Sequence, residues 1–221
     1  MRMTLTALVI WLCGASLVAA GAWLRDEDSL FTAITSTLRM SGEELLNETA
    51  IYAEYGLFPR ATIGFDYNHL IGYSGHALAF LRLPVGPQDR DLKMAIETAA
   101  GGHHWQGEWN PMLKATLSLG RGLKTRWGHG WLSLDAAVEQ RFGTPKPLFK
   151  LDATLGLPNF GRVGPMFQIE TAKASGLPLL WTLTPSVRYD MKKLGTLVIG
   201  FERKHGPINT SGVKFGLWKQ F

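Results

Sequence analysis

From residue 30 onward, apolar and polar residues alternate one by one in short runs separated by Gly, Pro, Asn and Asp. Alternation puts successive side chains on opposite faces of a β-strand, so each run predicts a strand with one apolar face. The cleanest run covers 61–68, where Ala61, Ile63, Phe65 and Tyr67 alternate with Thr62, Gly64, Asp66 and Asn68. The same pattern marks 30–38, 49–57, 76–83, 92–99, 112–120, 131–141, 148–157, 163–171, 180–189, 196–202 and 211–221. About twelve strands are expected, or ten if the weaker first and ninth do not form. Pro185 inside the tenth predicts a bulge or an imperfect pairing. Short connections make sequential antiparallel hairpins, an up-and-down meander, and an even count returns both termini to one side.

The polar face carries charge in mid-strand: Glu54, Asp66, Arg82, Lys93, Glu97, Lys114, Asp135, Glu139, Lys150, Asp152, Glu170, Arg188, Glu202 and Lys214. The apolar face is nearly free of charge. Two arrangements satisfy such strands. Two sheets pack apolar faces together, or one sheet closes with its apolar face outward in lipid, where open edges leave backbone groups unsatisfied. The lengths suit the second, since a tilted spanning strand needs roughly 9–11 residues. Aromatic residues near strand ends also suit it: Phe58, Tyr73, Trp105, Trp109, Trp127, Trp131, Phe142, Phe160, Tyr189, Trp218 and Phe221 are placed for interfacial girdles. The expected fold is all-β: a closed antiparallel up-and-down transmembrane barrel. Its polar face lines the lumen, and the signs alternate so that Glu97 meets Lys114, Glu139 meets Lys150, and Glu170, Arg188, Glu202 and Lys214 form a ladder. Leu78, Phe80 and Val198 fall on the same inner face.

The last strand carries a resemblance. Val213, Phe215, Leu217 and Phe221 share one face, Lys214, Gly216, Trp218 and Gln220 the other, and the chain stops on the Phe221 ring. This resembles the closing strand of bacterial outer-membrane β-barrels, with Lys219 departing from the apolar face. The resemblance implies that Phe215, Leu217 and Phe221 form an assembly signal read by the barrel-assembly machinery. It also implies outer-membrane lipids as surroundings.

The start of the chain reads as an export signal over residues 1–22, with one domain over 23–221. Arg2 precedes the apolar stretch around Leu8, Val9, Ile10, Trp11 and Leu12, and Ala19, Ala20, Gly21 and Ala22 supply small residues for cleavage near 20–22. The stretch is too short for an anchor, and Arg25, Asp26, Glu27 and Asp28 follow it. Cys13, the single cysteine, leaves with the leader, so no disulfide or cysteine metal site is expected in the exported chain. A Gram-negative outer membrane is the expected location.

The remaining composition narrows function. The chain is 46% hydrophobic and 11% aromatic, yet has no long apolar run after the leader, so its apolar content is spread by alternation. The net charge of +5 is modest and forms no stripe, so nucleic acid is not an expected partner. The leading functional expectation is a small passive channel for small polar solutes. The alternatives are a structural or interaction barrel with a plugged lumen, a lipid-modifying enzyme at the rim, and a soluble periplasmic sandwich. For the enzyme, Ser74 and His76 with Asp66 are candidate serine, histidine and carboxylate groups, but no G-x-S-x-G elbow is present. The segment 101–109 reads as a glycine-rich loop in which His103, His104 and Glu108 are candidate metal ligands, without established spacing. No cofactor and no metal are expected.

Overall fold

The computed structural model describes residues 21–206 and 209–221; most of the predicted leader, including Cys13, lies outside them. Among the described residues twelve strands follow in order: β1 (Leu30–Ser41), β2 (Glu44–Phe58), β3 (Ala61–Leu70), β4 (Ser74–Pro84), β5 (Leu92–Trp105), β6 (Glu108–Thr125), β7 (Gly128–Arg141), β8 (Leu148–Gly156), β9 (Val163–Ala174), β10 (Leu180–Asp190), β11 (Thr196–His205) and β12 (Thr210–Gln220). Each pairs antiparallel with the next, and β12 pairs with β1, closing the sheet into a barrel. The first and ninth strands are both formed, which removes the ten-strand alternative. Closure gives every strand two neighbours, so no backbone edge is left open.

Several strands outrun the alternating segments that predict them. The glycine-rich stretch is the plainest case, because β5 continues to Trp105 and β6 begins at Glu108. It is therefore paired strand rather than loop. Only Gln106 and Gly107 turn the chain, with φ of 50° and 90°. Two left-handed residues match the twist of the flanking strands, and glycine takes the second position without strain. At Pro185 the pairing of β10 with β11 passes from Leu183↔Arg203 to Ser186↔Gly200, keeping register while skipping two pairs. A proline without an N–H explains the gap.

The outer wall is apolar. Ile34, Ile96, Leu113, Leu117, Phe167 and Phe201 are each 43–54% exposed in mid-barrel. Among the described residues the one helical turn, Lys192–Leu194, is too short to cover such a band. An uncovered apolar belt around a polar interior is stable in lipid and prone to association in water. We expect Leu117→Arg, at mid-height on β6, to cost about 2–4 kcal/mol when the barrel is folded into bilayers. Urea titration of folding into vesicles measures this; a cost near zero would place Leu117 outside the hydrocarbon.

The interior holds two small apolar clusters. Trp131, Met166 and Val198 meet with Trp23 and Trp218 against them. Leu78, Phe80, Ala99 and Met112 meet beside Tyr52. Trp131 and Trp218 are thus inside, not in the outer girdles where sequence position places them. The reason is parity: Trp131 shares its face with Ser133 and Asp135, and Trp218 shares its face with Lys214. A Cβ on Gly156 would lie 2.0 Å from the Trp131 ring, so the missing side chain lets the indole lie on the wall. Trp105, Trp109, Trp127, Phe142 and Phe160 do stand exposed near strand ends.

Candidate functional site: a charged lumen

Strand direction defines two ends. Leu30 and Phe221 meet at the terminal end, where Phe221 N donates to Leu30 O at 2.8 Å. The turns after β1, β3, β5, β7, β9 and β11 lie at the far end.

Near the terminal end, Glu54 is fully buried on the inner face. Its carboxylate accepts from Arg25 Nε, from Arg82 Nη1, and from the Tyr52 hydroxyl at 2.6 Å. Arg82 Nη2 continues to Glu97 at 2.6 Å and to the Tyr52 oxygen at 2.7 Å. Lys114 Nζ follows, 4.0 Å from Glu97 and 3.6 Å from Asp66. A charge buried without a partner is costly, so a chain of alternating sign is the arrangement that tolerates this depth.

Toward the far end, Arg39 lies between Glu48 and Glu202. Gly212 is opposite Arg39 on one side and Glu202 on the other. A side chain there would collide with Arg39 Cγ at 2.8 Å, so the glycine lets the guanidinium reach across the barrel seam. Glu139 is buried between Arg141 Nη2 at 2.7 Å and Lys150 Nζ at 3.6 Å. Lys150 is also 3.8 Å from Asp152, which accepts from Thr171 N at 3.0 Å where β8 and β9 skip two pairs. At the rim, the Tyr73 hydroxyl donates to Glu44 at 2.9 Å, and that carboxylate holds the phenol above its ordinary range.

The expected ladder of Glu170, Arg188, Glu202 and Lys214 does not form. Arg188 Nη2 turns to the terminal rim, donating to Leu157 O at 2.7 Å and Asn159 Oδ1 at 3.3 Å, with its guanidinium 4.2 Å from the Trp131 ring centre. Glu202 belongs to Arg39. Glu170 and Lys214 line the far cavity without an ion pair within 4.0 Å among the described residues. Lys93 shares the inner face with Glu97 near the terminal rim and borders neither cavity. Strand order says which strands are neighbours, but register decides the height of each charge. Lys214 lies opposite Gly200 and Thr37, not an acid.

Two cavities lie within the lumen. One of about 330 Å³ at the terminal side is bordered by Tyr52, Arg82, Glu97, Trp131, Asp135 and Trp218. One of about 590 Å³ opens toward the far end beside Arg39, Asp66, His76, Arg141, Lys204 and Lys214. Thr35, Ala50, Lys114, Lys150, Asp152 and Glu170 border both, so the cavities adjoin at a waist carrying two lysines and two acids. The segment ahead of β1 enters at the terminal end: Arg25 and Ala22 are buried, and Arg25 N donates to Thr62 Oγ1 at 2.9 Å. Sequence periodicity misses Arg25, because this segment is not a strand, and misses Arg39, because its alternating run stops at Leu38.

The other candidates separate. His76 Nε2 is 3.2 Å from Asp66 Oδ1 inside the lumen, but no hydrogen bond joins Ser74 to His76 among the described residues, so the serine–histidine–carboxylate chain is not assembled. Neighbours on a strand face opposite ways, so His103 and His104 diverge. His103 Nε2 contacts Phe142 O at 2.9 Å, whereas His104 Nε2 contacts His69 Nδ1 at 3.0 Å beside Trp109. They do not share a metal with Glu108, and no group of three possible ligands exists among the described residues. On the terminal strand, Phe215 and Leu217 are on the outer wall, and Lys219 Nζ lies 4.4 Å from the Phe221 ring centre, a cation–π contact that seats the departing lysine.

No protein-family model and no curated relative matches the sequence. Solved structures do. The NanC porin superposes with a TM-score of 0.60 at 9% identity, over 84% of this chain and 97% of that one. The KdgM porin gives 0.58 at 9% identity, over 84% and 98%, and a KdgM porin in complex with disordered oligogalacturonate gives 0.56 at 8% identity. At such identities the likeness is one of fold: this chain is a closed twelve-stranded antiparallel barrel of the kind bacterial outer-membrane porins adopt.

Proposed function

We propose that this protein is a small outer-membrane channel through which small polar solutes diffuse passively. The observation that carries the reading is the pair of adjoining cavities running from the far mouth into the terminal half, with charged strand side chains bordering both. The porin fold supports it. With the termini at the periplasmic face, the short far-end turns lie outside the cell. Outer-membrane lipids against the apolar belt, and the barrel-assembly machinery at Phe215, Leu217 and Phe221, are the partners this reading brings.

The charge pairing narrows the solute. Arg39, Arg82, Arg141, Lys114 and Lys150 each have a carboxylate within 4.0 Å. Cations neutralised in this way present little net field to a polyanion, so neutral and zwitterionic solutes suit the lumen better. The test is single-channel conductance of the refolded protein, with gel migration compared before and after boiling, and vesicle uptake of a small sugar and an acidic oligosaccharide. Expected are heat-shifted migration, discrete current steps and faster sugar uptake. Heat-shifted migration with neither current nor uptake would overturn the channel. That result would favour the second reading, a plugged structural barrel, which the buried Arg25, Glu54, Arg82 and Glu97 chain supports.

A further inference from the structure

The leading segment holds an unbalanced charge beside it. Asp135 faces the lumen from β7, directly opposite Asp152 on β8, so two carboxylates meet in register. Lys150, the nearest cation of that pair, is 3.8 Å from Asp152 and 3.6 Å from Glu139. Asp135 itself has no cation within 4.0 Å among the described residues, and its Oδ1 is buried without a hydrogen-bond partner. The Oδ2 atom accepts from Ser133 Oγ at 3.2 Å. A half-buried carboxylate with one oxygen shut off from solvent, facing a second carboxylate, is favoured by a positive group nearby.

What lies against Asp135 is the backbone of Gly21. A Cβ on Gly21 would be 2.6 Å from Asp135 Oδ1 and 2.8 Å from Ser133 Oγ, so only glycine fits. The residues that follow pack against the inner wall of the terminal half of the lumen. Trp23 and Ala22 press on Gly120, where a Cβ would meet them at 2.4 and 2.8 Å. Trp23 packs on the Trp131, Met166 and Val198 cluster. Arg25 is held by Glu54, and at the rim Asp28 N donates to Gly56 O at 3.0 Å.

We propose that export cleavage falls between Ala20 and Gly21, and that the new α-ammonium seats on Asp135, locking residues 21–25 as a built-in plug in the terminal half of the lumen. Ala20 immediately before the cut and the compact Val18 two residues earlier suit a leader peptidase. An α-amino group is largely protonated at neutral pH, with an ordinary pKa of about 7.7–8.0. The cation that Asp135 lacks is therefore made by the cleavage itself. An uncleaved chain has a neutral amide at that place, and a chain cut before Trp23 lacks both the glycine that fits Asp135 and the alanine that covers Gly120. Seating the ammonium thus couples processing to closure. The effect on conduction rests on the channel reading above; the seating does not.

The test uses the protein expressed with its own leader, carrying Ala22→Cys, and purified from outer membranes. Cleavage after Ala20 removes Cys13, leaving the introduced cysteine as the only thiol. Intact mass is expected to place the first residue at Gly21; a start at Trp23 would overturn the proposal. An impermeant maleimide is expected to label the folded barrel at least about tenfold more slowly than the unfolded chain, and adding Asp135→Asn should recover roughly that factor, the scale of a lost charge-assisted contact. Labelling at the unfolded rate would overturn the plug, and slow labelling indifferent to Asp135→Asn would overturn the ammonium seat. In planar bilayers, the chain lacking residues 21–25 is expected to conduct several-fold more than the chain starting at Gly21. Equal, non-zero currents would overturn occlusion. Zero current from both, with protected labelling relieved by Asp135→Asn, would uphold the seat and remove the channel reading instead.

Discussion

Glu54→Ala is expected to lower the stability of the folded barrel by on the order of 3–5 kcal/mol, the cost of leaving a buried charge without its partner. Glu54 is fully buried, and its two oxygens are the meeting point of Arg25, Arg82 and the Tyr52 hydroxyl. Alanine removes the anion and leaves two guanidinium groups facing each other at low exposure. Arg82 keeps Glu97 at 2.6 Å, whereas Arg25 has no second acid within 4.0 Å among the described residues. The leading segment is therefore expected to loosen before the barrel wall does. Glu54→Gln preserves size and one acceptor and should cost less. The double variant Glu54→Ala, Arg25→Ala should cost less than the sum of the singles, because each single strands the other partner. Urea titrations in vesicles, read by gel migration, measure all four. A loss below about 1 kcal/mol for Glu54→Ala would mean that the network is solvated like a surface pair.

Lys114→Glu combined with Lys150→Glu is expected to turn a weakly selective lumen into a cation-selective one. These lysines oppose Asp152 and Glu170 at the waist where the two cavities adjoin, and the signs there balance. Reversal makes all four groups acidic in a confined space, where fixed charge sets the local ion concentration. Lys114 also neutralises Asp66 at 3.6 Å and Lys150 neutralises Glu139 at 3.6 Å, so the substitutions expose those acids as well. Under a salt gradient the zero-current potential should move from near zero most of the way toward the limit for an ideal cation channel. High salt should abolish the shift as screening shortens the reach of fixed charge. An unchanged potential would mean that the current does not pass the waist.

Much of the barrel is legible in the residues because alternation is a local signal. Ala61 to Asn68 assigns faces to β3 without reference to any other strand, and the same logic places Glu97, Lys114 and Glu139 inside. Signals that depend on meeting another segment are not legible in this way. Arg39 finds Glu202 only because closure brings β12 beside β1 and Gly212 leaves room between them. Trp131 and Trp218 resemble girdle residues by position, and parity turns them inward. The glycine-rich stretch resembles a loop by composition, yet pairing to β4 and β6 holds it as strand through Trp105. Arg25 lies in a segment with no periodicity, so nothing local marks it as a lumen residue.

The order of residues thus contains the strand number, the two faces and the charged character of the inner one, since each follows from a repeat that any short window carries. The heights of the charges, their pairing across the seam and the entry of residues 21–25 into the lumen are set only when the sheet closes. Those features depend on register and on distances between residues far apart in the chain, such as the 163 positions separating Arg39 from Glu202. No local pattern encodes that separation. Side-chain size at Gly212, Gly120 and Gly156, together with the need to pair every buried charge, selects the arrangement once the barrel is formed.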